Sequence, residues 1–217
     1  MKKILITGAC GSIGSALAKA LAPSHELLLL DLDPLALNRL DDELRASGNE
    51  PTLLPFDLWR MNYDRYQKLA HLIAEAHGKL DALIHCATYF TNLTPMEQVS
   101  PEVWLQSLQV NLTAVQWLNQ SLLPLLQQSQ RGQILITTHP KLYHEQSAYF
   151  HGFGVSQSAL KTLIQEWQAV EGSTRVRVHD IALDWLDTPL SRNVFPAAKA
   201  LWQRPEQIVH HYLEALS

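Results

Sequence analysis

The spacing of three glycines near the start of the chain is typical of a phosphate-binding turn. Gly8, Gly11 and Gly14 follow the apolar segment Lys2–Ile6 and overlap the start of a helical pattern, Ile13–Leu21. At such a turn, free backbone N–H groups and the positive end of the helix dipole face an anion such as a pyrophosphate. Gly8 can form the tight turn, Gly11 can let the backbone approach the phosphate, and Gly14 can let the helix pack closely on the sheet. The sequence therefore predicts a dinucleotide-binding turn, with a purely structural turn as the alternative.

Short apolar runs alternate with helical patterns along the rest of the chain. The predicted strands are Lys2–Ile6, Glu26–Leu30, Thr52–Leu54, Asp81–His85, Gln133–Thr137 and Arg175–Ile181. The predicted helices are Ile13–Leu21, Pro34–Ser47, Asn62–His77, Ser100–Gln128 with a bend or break at Pro124, Ala148–Glu171 and Pro205–Ser217. Asn62 is a predicted helix N-cap, and Gly48 and Gly78 are predicted helix stops.

This alternation predicts the α/β class: a Rossmann-like, doubly wound parallel sheet of about six strands with helices on both faces. No internal repeat or low-complexity linker divides the sequence, so residues 1–217 are expected to form one domain. Ligands of such sheets bind beyond the carboxyl ends of the strands. That rule gathers five residues that follow strands around one crevice: Cys10, Asp31, Asp57, Cys86 and His139.

Composition excludes several classes of partner. The net charge of -4 gives no reason to expect nucleic acid or an anionic membrane. No apolar run is long enough to span a bilayer, and the first apolar run is too short for a signal peptide. The two cysteines, Cys10 and Cys86, fit a reducing compartment and exclude a disulfide framework. The expected location is the cytoplasm.

The chain resembles the short-chain dehydrogenase/reductase family over nearly its whole length. The resemblance rests on the glycine turn, Asp31 after the second strand, Asp57-Leu58 after the third, Asn111 in Gln109-Val110-Asn111-Leu112, and Thr188 after the sixth. It implies a nicotinamide dinucleotide as cofactor. The cofactor-binding residues that it implies are Gly8, Cys10, Gly11, Ile13, Gly14, Asp31, Asp57, Leu58, Ala87 and Thr188.

Asp31 indicates a preference for NAD over NADP. A carboxylate at the end of the second strand can accept hydrogen bonds from ribose hydroxyls, and it would repel a 2′-phosphate. No arginine or lysine follows until Arg39. The resemblance also implies that Asp57 meets the adenine edge. The alternatives are a helix-capping or solvated Asp31 and an Asp57 that only shapes its loop.

The reactive end of the family pattern is different in this sequence. The family carries Tyr-x-x-x-Lys at the start of the helix after the fifth strand, where the Tyr exchanges a proton with the substrate and the Lys lowers the Tyr pKa. Here Phe153 stands in the place of the Tyr and Gln157 in the place of the Lys, a register that the flanking Ser-x-x-Ala pattern fixes. Phe has no proton to give, and Gln has no charge.

Other family positions differ as well. His139 stands in the place of the family's Ser, Cys86-Ala87-Thr88 in the place of Asn-Ala-Gly, and Leu183-Asp184 in the place of Pro-Gly. Asn111 is present, but the Lys that it supports in the family is missing. The family's seventh strand is expected to be absent, and the lid segment 189–204 is short.

Three functions are therefore open. The first is an NAD(H)-binding protein without the catalytic pair, acting in binding, sensing or scaffolding. The second is an NAD-dependent oxidoreductase on a carbonyl or alcohol, with a substitute acid. The third is a structural subunit that binds no cofactor and pairs with an active relative. The candidate acids are Tyr149, His139, His144 and His151; the His side chains titrate near neutral pH, which suits proton transfer.

Three further expectations concern metals, thiols and assembly. His139, His144 and His151 lack a recognised zinc spacing, so no metal is expected. Cys10 and Cys86 follow neighbouring strands, so an oxidation switch is one hypothesis and two small buried residues the alternative. The helices around Trp104–Leu126 and Phe153–Glu171 are expected to form a dimer face, either between two copies or with a relative.

Overall fold

A computed structural model describes residues 1–144, 148–197 and 201–217; the side chains of residues 143 and 144 are not described. Its six strands form one parallel sheet in the order β3-β2-β1-β4-β5-β6. The strands are β1 (Lys3–Thr7), β2 (Glu26–Asp31), β3 (Thr52–Pro55), β4 (Ala82–His85), β5 (Gly132–Thr138) and β6 (Val176–Ala182). The predicted doubly wound α/β fold is confirmed.

Helices cover both faces of this sheet. They are α1 (Ser12–Leu21), α2 (Pro34–Arg45), α3 (Tyr63–His77), α4 (Pro101–Leu108), α5 (Ala114–Leu126), α6 (Lys141–His144), α7 (His151–Ala169), α8 (Glu171–Thr174), α9 (Pro189–Val194) and α10 (Val209–Leu216). Short 3₁₀ turns lie at Met96–Gln98 and Pro205–Ile208. Among the described residues, no helix combines the length and apolarity needed to cross a membrane.

The alternation of side chains along β1 divides the interior into two cores. Ile4 and Ile6 face α1, α2 and α10, whereas Leu5 faces α3, α5 and α7. All three side chains are fully buried. Because both faces of a parallel sheet are covered, the inner strands β1, β2 and β4 are mainly apolar, whereas the edge strand β6 alternates buried Val176 and Val178 with exposed Arg177.

The chain reverses its direction of winding at β1. Strands β2 and β3 lie on one side of β1, and β4 to β6 lie on the other. The crossovers after β1 and β4 therefore leave in opposite directions, and a crevice opens between the carboxyl ends of these two strands. The residues that follow β1 and β4 form the floor of this crevice.

Two helix boundaries differ from the sequence prediction. The predicted helix Ser100–Gln128 is interrupted by a π turn at Gln109–Thr113, while Pro124 lies inside α5 and not at a break. The predicted start at Ala148 was also wrong, since α7 begins at His151. Tyr149 (φ 72°) and His151 (φ 37°) have left-handed backbone conformations, which a continuous right-handed helix cannot contain.

Side chains seal the outer edge of β6, the last strand of the sheet. Gln168 Nε2 donates to the Val178 carbonyl oxygen at 2.9 Å, and Glu171 Oε1 accepts from the Val178 N–H at 2.7 Å. An unpaired strand edge invites pairing with another chain, and blocking its peptide groups reduces that tendency. In the described part of the chain, no seventh strand pairs with this edge.

Candidate functional site

The glycine turn is built by close backbone contacts. Gly8 has φ 63°, and a Cβ there would lie 2.6 Å from the Cα of Ala87. A Cβ on Gly14 would overlap the carbonyl oxygen of Gly8, so only glycine lets α1 pack against the turn. Gly11 is the N-cap of α1 and provides no side-chain hydrogen bond. The turn therefore presents bare backbone at a helix N-terminus, which suits an anionic group.

Asp31 ties the end of β2 to this turn. Its Oδ2 accepts from the Cys10 N–H at 2.9 Å, and its Oδ1 accepts from the Asp33 N–H at 3.3 Å. Asp33 in turn caps α2 by accepting from the N–H groups of Leu35 and Ala36. Burial, together with the carboxylates of Asp31 and Asp33, raises the pKa of the Cys10 thiol to about 12. Two carboxylates thus lie on one side of the turn.

The Asp31 cleft is the half of the crevice on the β2–β3 side. The Oδ1 of Asp57 accepts from the N–H groups of Trp59 (2.8 Å) and Arg60 (3.2 Å), so the loop after β3 is fixed by its own side chain. Buried Leu58 supplies an apolar wall. The cleft is lined by Gly8, Cys10, Gly11, Leu30, Asp31, Leu32, Asp33, Ala36, Phe56, Asp57, Leu58, Trp59, Cys86, Ala87, Thr88, Tyr89, Gln106 and Val110.

The Phe153 chamber is the other half of the crevice. It meets the Asp31 cleft at Cys86, Ala87 and Thr88, which border both. Its remaining lining comes from Ile13, His85, Asn111, Val115, Ile136, Thr137, Thr138, His139, Phe153, Gln157, Leu160, Leu183, Asp184, Trp185, Leu186, Thr188, Leu190 and Ser191. The structure therefore brings nine of the ten predicted cofactor residues to one crevice; Gly14 instead packs α1 behind the turn.

Phe153 belongs to an aromatic cluster at the closed end of the chamber. Its ring stacks on Phe90 with the centroids 4.8 Å apart, and the side chain is 4% exposed. Phe90 also stacks on Phe150 at 5.5 Å, and Phe150 on Trp185 at 5.8 Å. The Phe153 ring, which the sequence pattern predicts to stand in the place of the family's Tyr, is thus used for packing.

Gln157 connects α7 to the end of β5. Its Oε1 accepts from the backbone N–H of His139 at 2.9 Å, and the side chain is buried. A Lys at this position would bring a second donor to that N–H and could not replace the bond. The Gln side chain therefore has a structural partner that the Lys of the family pattern could not satisfy.

His139 lies against Trp185 beside the chamber. The two ring centroids are 4.1 Å apart, and neither ring nitrogen of His139 has a hydrogen-bond partner. Burial lowers the pKa of His139 from 6.5 to about 4, although the carboxylate of Asp184 acts in the opposite direction. The imidazole is therefore neutral at pH 7 and has no ionisable proton to supply as an acid.

Asn111 holds the loop after β4 from within the π turn. Its Oδ1 accepts from the Tyr89 N–H at 2.7 Å, and its Nδ2 donates to the Tyr89 carbonyl oxygen at 2.8 Å. Thr88 Oγ1 donates to the same Oδ1 at 3.4 Å. This arrangement gives Asn111 a structural role that needs no neighbouring Lys.

The other candidate acids are not gathered in the chamber. Tyr149 is 55% exposed and lines a separate depression with Met96 and Gly154. The Nε2 of His151 lies 3.2 Å from the carbonyl oxygen of Asn92. The side chain of His144 lies outside the described residues. Among those described, no group of three or more His, Cys, Asp or Glu side chains is placed to hold a metal ion.

Both cysteines border the crevice and both are free. Burial raises the pKa of Cys86 to about 12, while Thr137 Oγ1 donates to its Sγ at 3.8 Å. A thiol with a raised pKa forms little thiolate and reacts slowly with oxidants. An oxidation switch between Cys10 and Cys86 therefore has no chemical support here.

Sequence reasoning missed several residues of the crevice. Trp59 and Trp185 come from the loops after β3 and β6, and an isolated aromatic in a loop carries no periodic signal. Asp33 could have been found, because it immediately precedes Pro34 at the start of a helical pattern, the usual N-cap position.

Comparison with known proteins decides the family. A model of the short chain dehydrogenase family matches residues 2–199. This chain belongs to the short chain dehydrogenase family. It is 29% identical to the uncharacterized oxidoreductase YciK of Escherichia coli K12 over 201 residues, 89% of this chain and 77% of that protein.

Solved structures of the family superpose closely on this chain. A protein described as a short chain dehydrogenase of Pseudomonas syringae has a TM-score of 0.93 and 30% identity, covering 100% of this chain and 89% of that one. One from Shigella flexneri 2a, in complex with NADP, has a TM-score of 0.94 and 27% identity, covering 100% and 91%. The likeness extends over the whole crevice, including the segments that differ from the family pattern.

Proposed function

We propose that this short chain dehydrogenase homologue binds NAD(H) in the crevice and does not perform the family's proton transfer. It would act as a dinucleotide-binding, sensing or scaffold protein, with the cytoplasm as its expected location. The observation that carries the proposal is the contrast between the two halves of the crevice. The glycine turn and Asp31 are intact, whereas Phe153 and Gln157 are engaged in packing and in a backbone hydrogen bond.

The residues of the crevice fit a dinucleotide. The bare backbone at Gly11 and the N-terminus of α1 would receive the pyrophosphate. Asp31 would accept hydrogen bonds from the adenosine ribose, and the apolar walls at Leu58 and Val110 would enclose the adenine. The opposite end of the molecule would reach the Phe153 chamber past Ala87. When bound, the nicotinamide ring supplies hydride chemistry.

Two carboxylates support NAD over NADP. Asp31 and Asp33 both line the cleft where the adenosine ribose would lie, and a 2′-phosphate would be repelled by both. The Shigella flexneri homologue is bound to NADP. Cofactor choice in this fold depends on the residues after β2, so that complex does not fix the preference of this chain.

Among the described residues of the chamber, the two positions of the expected catalytic pair carry no acid. Phe153 has no ionisable group, Gln157 is neutral, and His139 has a pKa lowered to about 4 by burial. Hydride transfer without a proton donor would leave an alkoxide on the substrate. Positioning of a substrate could still support slow turnover, so an oxidoreductase with an unusual acid is one outcome of the test below.

A second copy of the chain, or a related subunit, is the proposed macromolecular partner. A shallow groove between α5 and α7 is lined by Leu112, Thr113, Gln116, Ala159, Thr162, Leu163 and Glu166. Trp167 Nε1 donates to Gln116 Oε1 at 2.9 Å and fixes the two helices side by side. Sedimentation analysis of the full chain would test whether this helical face forms a dimer.

The decisive experiment titrates the protein with NADH and with NADPH and measures binding by fluorescence and calorimetry. We expect saturable NADH binding, with at least tenfold weaker binding of NADPH. A screen of common aldehydes, ketones and alcohols with bound cofactor should give no turnover above the uncatalysed rate. Absence of NADH binding would favour the structural-subunit function, and robust turnover would favour the oxidoreductase.

A further inference from the structure

The Phe153 chamber is small for a site that must hold a cofactor ring and a substrate together. Its volume is about 110 Å³. For comparison, an apolar cavity of about 150 Å³ in a protein core accommodates one benzene molecule. The chamber therefore has room for about one six-membered ring, with its open side toward Ala87 and the Asp31 cleft.

An aromatic cluster lies behind one wall of this chamber, and two of its rings, Phe153 and Trp185, line the chamber itself. Phe90 lies between Phe150 and Phe153, with ring centroids 5.5 and 4.8 Å away, and the stack continues from Phe150 to Trp185 at 5.8 Å. Phe195 packs its ring edge-on to Trp185 at 5.0 Å. These rings come from the loop after β4, the start of α7, the loop after β6 and the end of α9, so the cluster joins four separate segments of the chain.

Contacts on its outer side hold helix α9 over the cluster. The Asp187 N–H donates to the carbonyl oxygen of Gln203 at 2.8 Å, and Arg192 pairs with Asp187 at 2.7 Å. The Arg192 guanidinium also lies 4.8 Å over the ring of Trp202. These contacts hold α9 against the aromatic rings.

Most polar side chains at the chamber wall have partners within the chain; the exception is His139, whose two ring nitrogens are buried without a partner. Gln157 Oε1 is bonded to the His139 N–H. The other pairs are Thr137 with Tyr212, Thr138 with Asp180, Thr88 with Asn111, Thr188 with Ser191, Asp184 with Lys141, and His85 with Asn119. A polarised carbonyl would find few free donors here.

We infer that the chamber admits one ring-sized group, the nicotinamide end of the dinucleotide, and that the chain's own aromatic cluster occupies the place of a second molecule. The inference rests on the proposed dinucleotide binding. The inference adds to the proposed function that the site takes no substrate. Phe153 helps to close the chamber, and the bound cofactor is the only small molecule that the chamber accommodates.

The test uses fluorobenzene as a probe for a second site, observed by ¹⁹F NMR line broadening on the full chain saturated with NADH. We expect no binding to the wild-type complex. Trp185→Ala and Phe153→Ala remove rings from the cluster and should create a site that binds about one fluorobenzene per chain, at least tenfold more tightly than the wild type does. Leu72→Ala, a truncation at an exposed position on α3, opens no cavity; it is the control and should not bind the probe beside NADH.

Binding of fluorobenzene to the wild-type NADH complex would overturn the inference. If Phe153→Ala does not fold, the Trp185→Ala arm still decides, because Trp185 is only half-buried. If NADH does not bind at all, the proposed function fails separately. The chamber is then judged without cofactor: one probe molecule or none per wild-type chain supports a one-ring chamber, and two molecules contradict it.

Discussion

Gln157 Oε1 accepts a hydrogen bond from the backbone N–H of His139 at 2.9 Å, joining α7 to the carboxyl end of β5. The sequence prediction puts both residues at positions where the family pattern has groups that take part in proton transfer. In the structure the two are partners in one contact, which connects two elements of the fold.

Gln157→Met tests this connection. The change keeps the length of the side chain but leaves the buried His139 N–H without an acceptor, which costs about 1–3 kcal/mol. Urea unfolding should show a lower midpoint with an unchanged slope. Gln128→Met, on an exposed position at the end of α5, is the control and should alter the free energy of unfolding by less than about 0.5 kcal/mol. Equal effects of the two changes would contradict the structural role of Gln157.

Gly14→Ala tests the packing of the glycine turn. The added Cβ would overlap the carbonyl oxygen of Gly8, so α1 must move away from the turn. We expect a loss of about 1–3 kcal/mol in the free energy of unfolding, as for other overpacked sites. NADH affinity should fall at least tenfold, since the N-terminus of α1 no longer faces the phosphates.

Gly172→Ala is the matched control for that change. A Cβ on Gly172 meets no atom within 4 Å, and the residue lies in α8. Because Ala is the better helix former, this variant should be as stable as the wild type or gain up to about 1 kcal/mol. A Gly14→Ala protein as stable as the wild type would show that the turn tolerates a different approach of α1.

Asp31→Asn tests cofactor choice. The amide keeps the shape of the side chain but loses the negative charge that would accept ribose hydroxyls and repel a 2′-phosphate. We expect NADH to bind about tenfold more weakly, a change of about 1.4 kcal/mol, and NADPH to bind more tightly than it does to the wild type. Calorimetry with both cofactors measures the ratio. Asp42→Asn, on the exposed face of α2, should leave that ratio unchanged; a ratio equally unmoved by Asp31→Asn would remove Asp31 as the determinant.

The sheet and the cofactor half of the crevice were predictable because local signals specify them. Apolar runs gave strand bounds that agree with the structure within about two residues, and the predicted N-cap at Asn62 is confirmed by its bond to the Arg65 N–H. The glycine spacing and Asp31 are likewise local signals, since each is recognised from the end of the strand beside it. The glycine turn and Asp31 lie in one crevice because the carboxyl ends of parallel strands share one edge of the sheet.

The π turn and the aromatic cluster could not be predicted because tertiary contacts determine them. Asn111 interrupts its helix while bonded to the backbone of Tyr89, 22 residues away in sequence. The rings of Phe90, Phe153 and Trp185 come from three separate segments. Tyr149 was proposed as an acid from its distance of one helical turn before Phe153, but its positive φ places it before the start of α7.

His139→Phe tests the neutral state of the buried imidazole. The folded pKa of about 4 lies below the ordinary value of 6.5, so the unfolded chain binds more protons between these two values. Stability is therefore fully present above about pH 6.5 and is lost as the pH falls toward 4, by up to the order of 3 kcal/mol for a shift of this size. The free energy of unfolding of the variant should depend less on pH between about 4 and 6.5 than that of the wild type. At pH 7 it should be about 1–3 kcal/mol more stable, because two unpaired buried nitrogens are removed while the contact with Trp185 is kept.

The control for the His139 variant is His71→Gln, at an exposed position on α3. Chemical unfolding at intervals of half a pH unit between pH 4 and 8 gives the free energy of unfolding of each variant as a function of pH. His85, whose pKa burial also lowers to about 4, should keep part of the slope in the His139→Phe protein. If the free energy of unfolding of His139→Phe changes with pH as steeply as that of the wild type, or falls markedly at pH 7, the His139 ring is charged or hydrogen-bonded in solution.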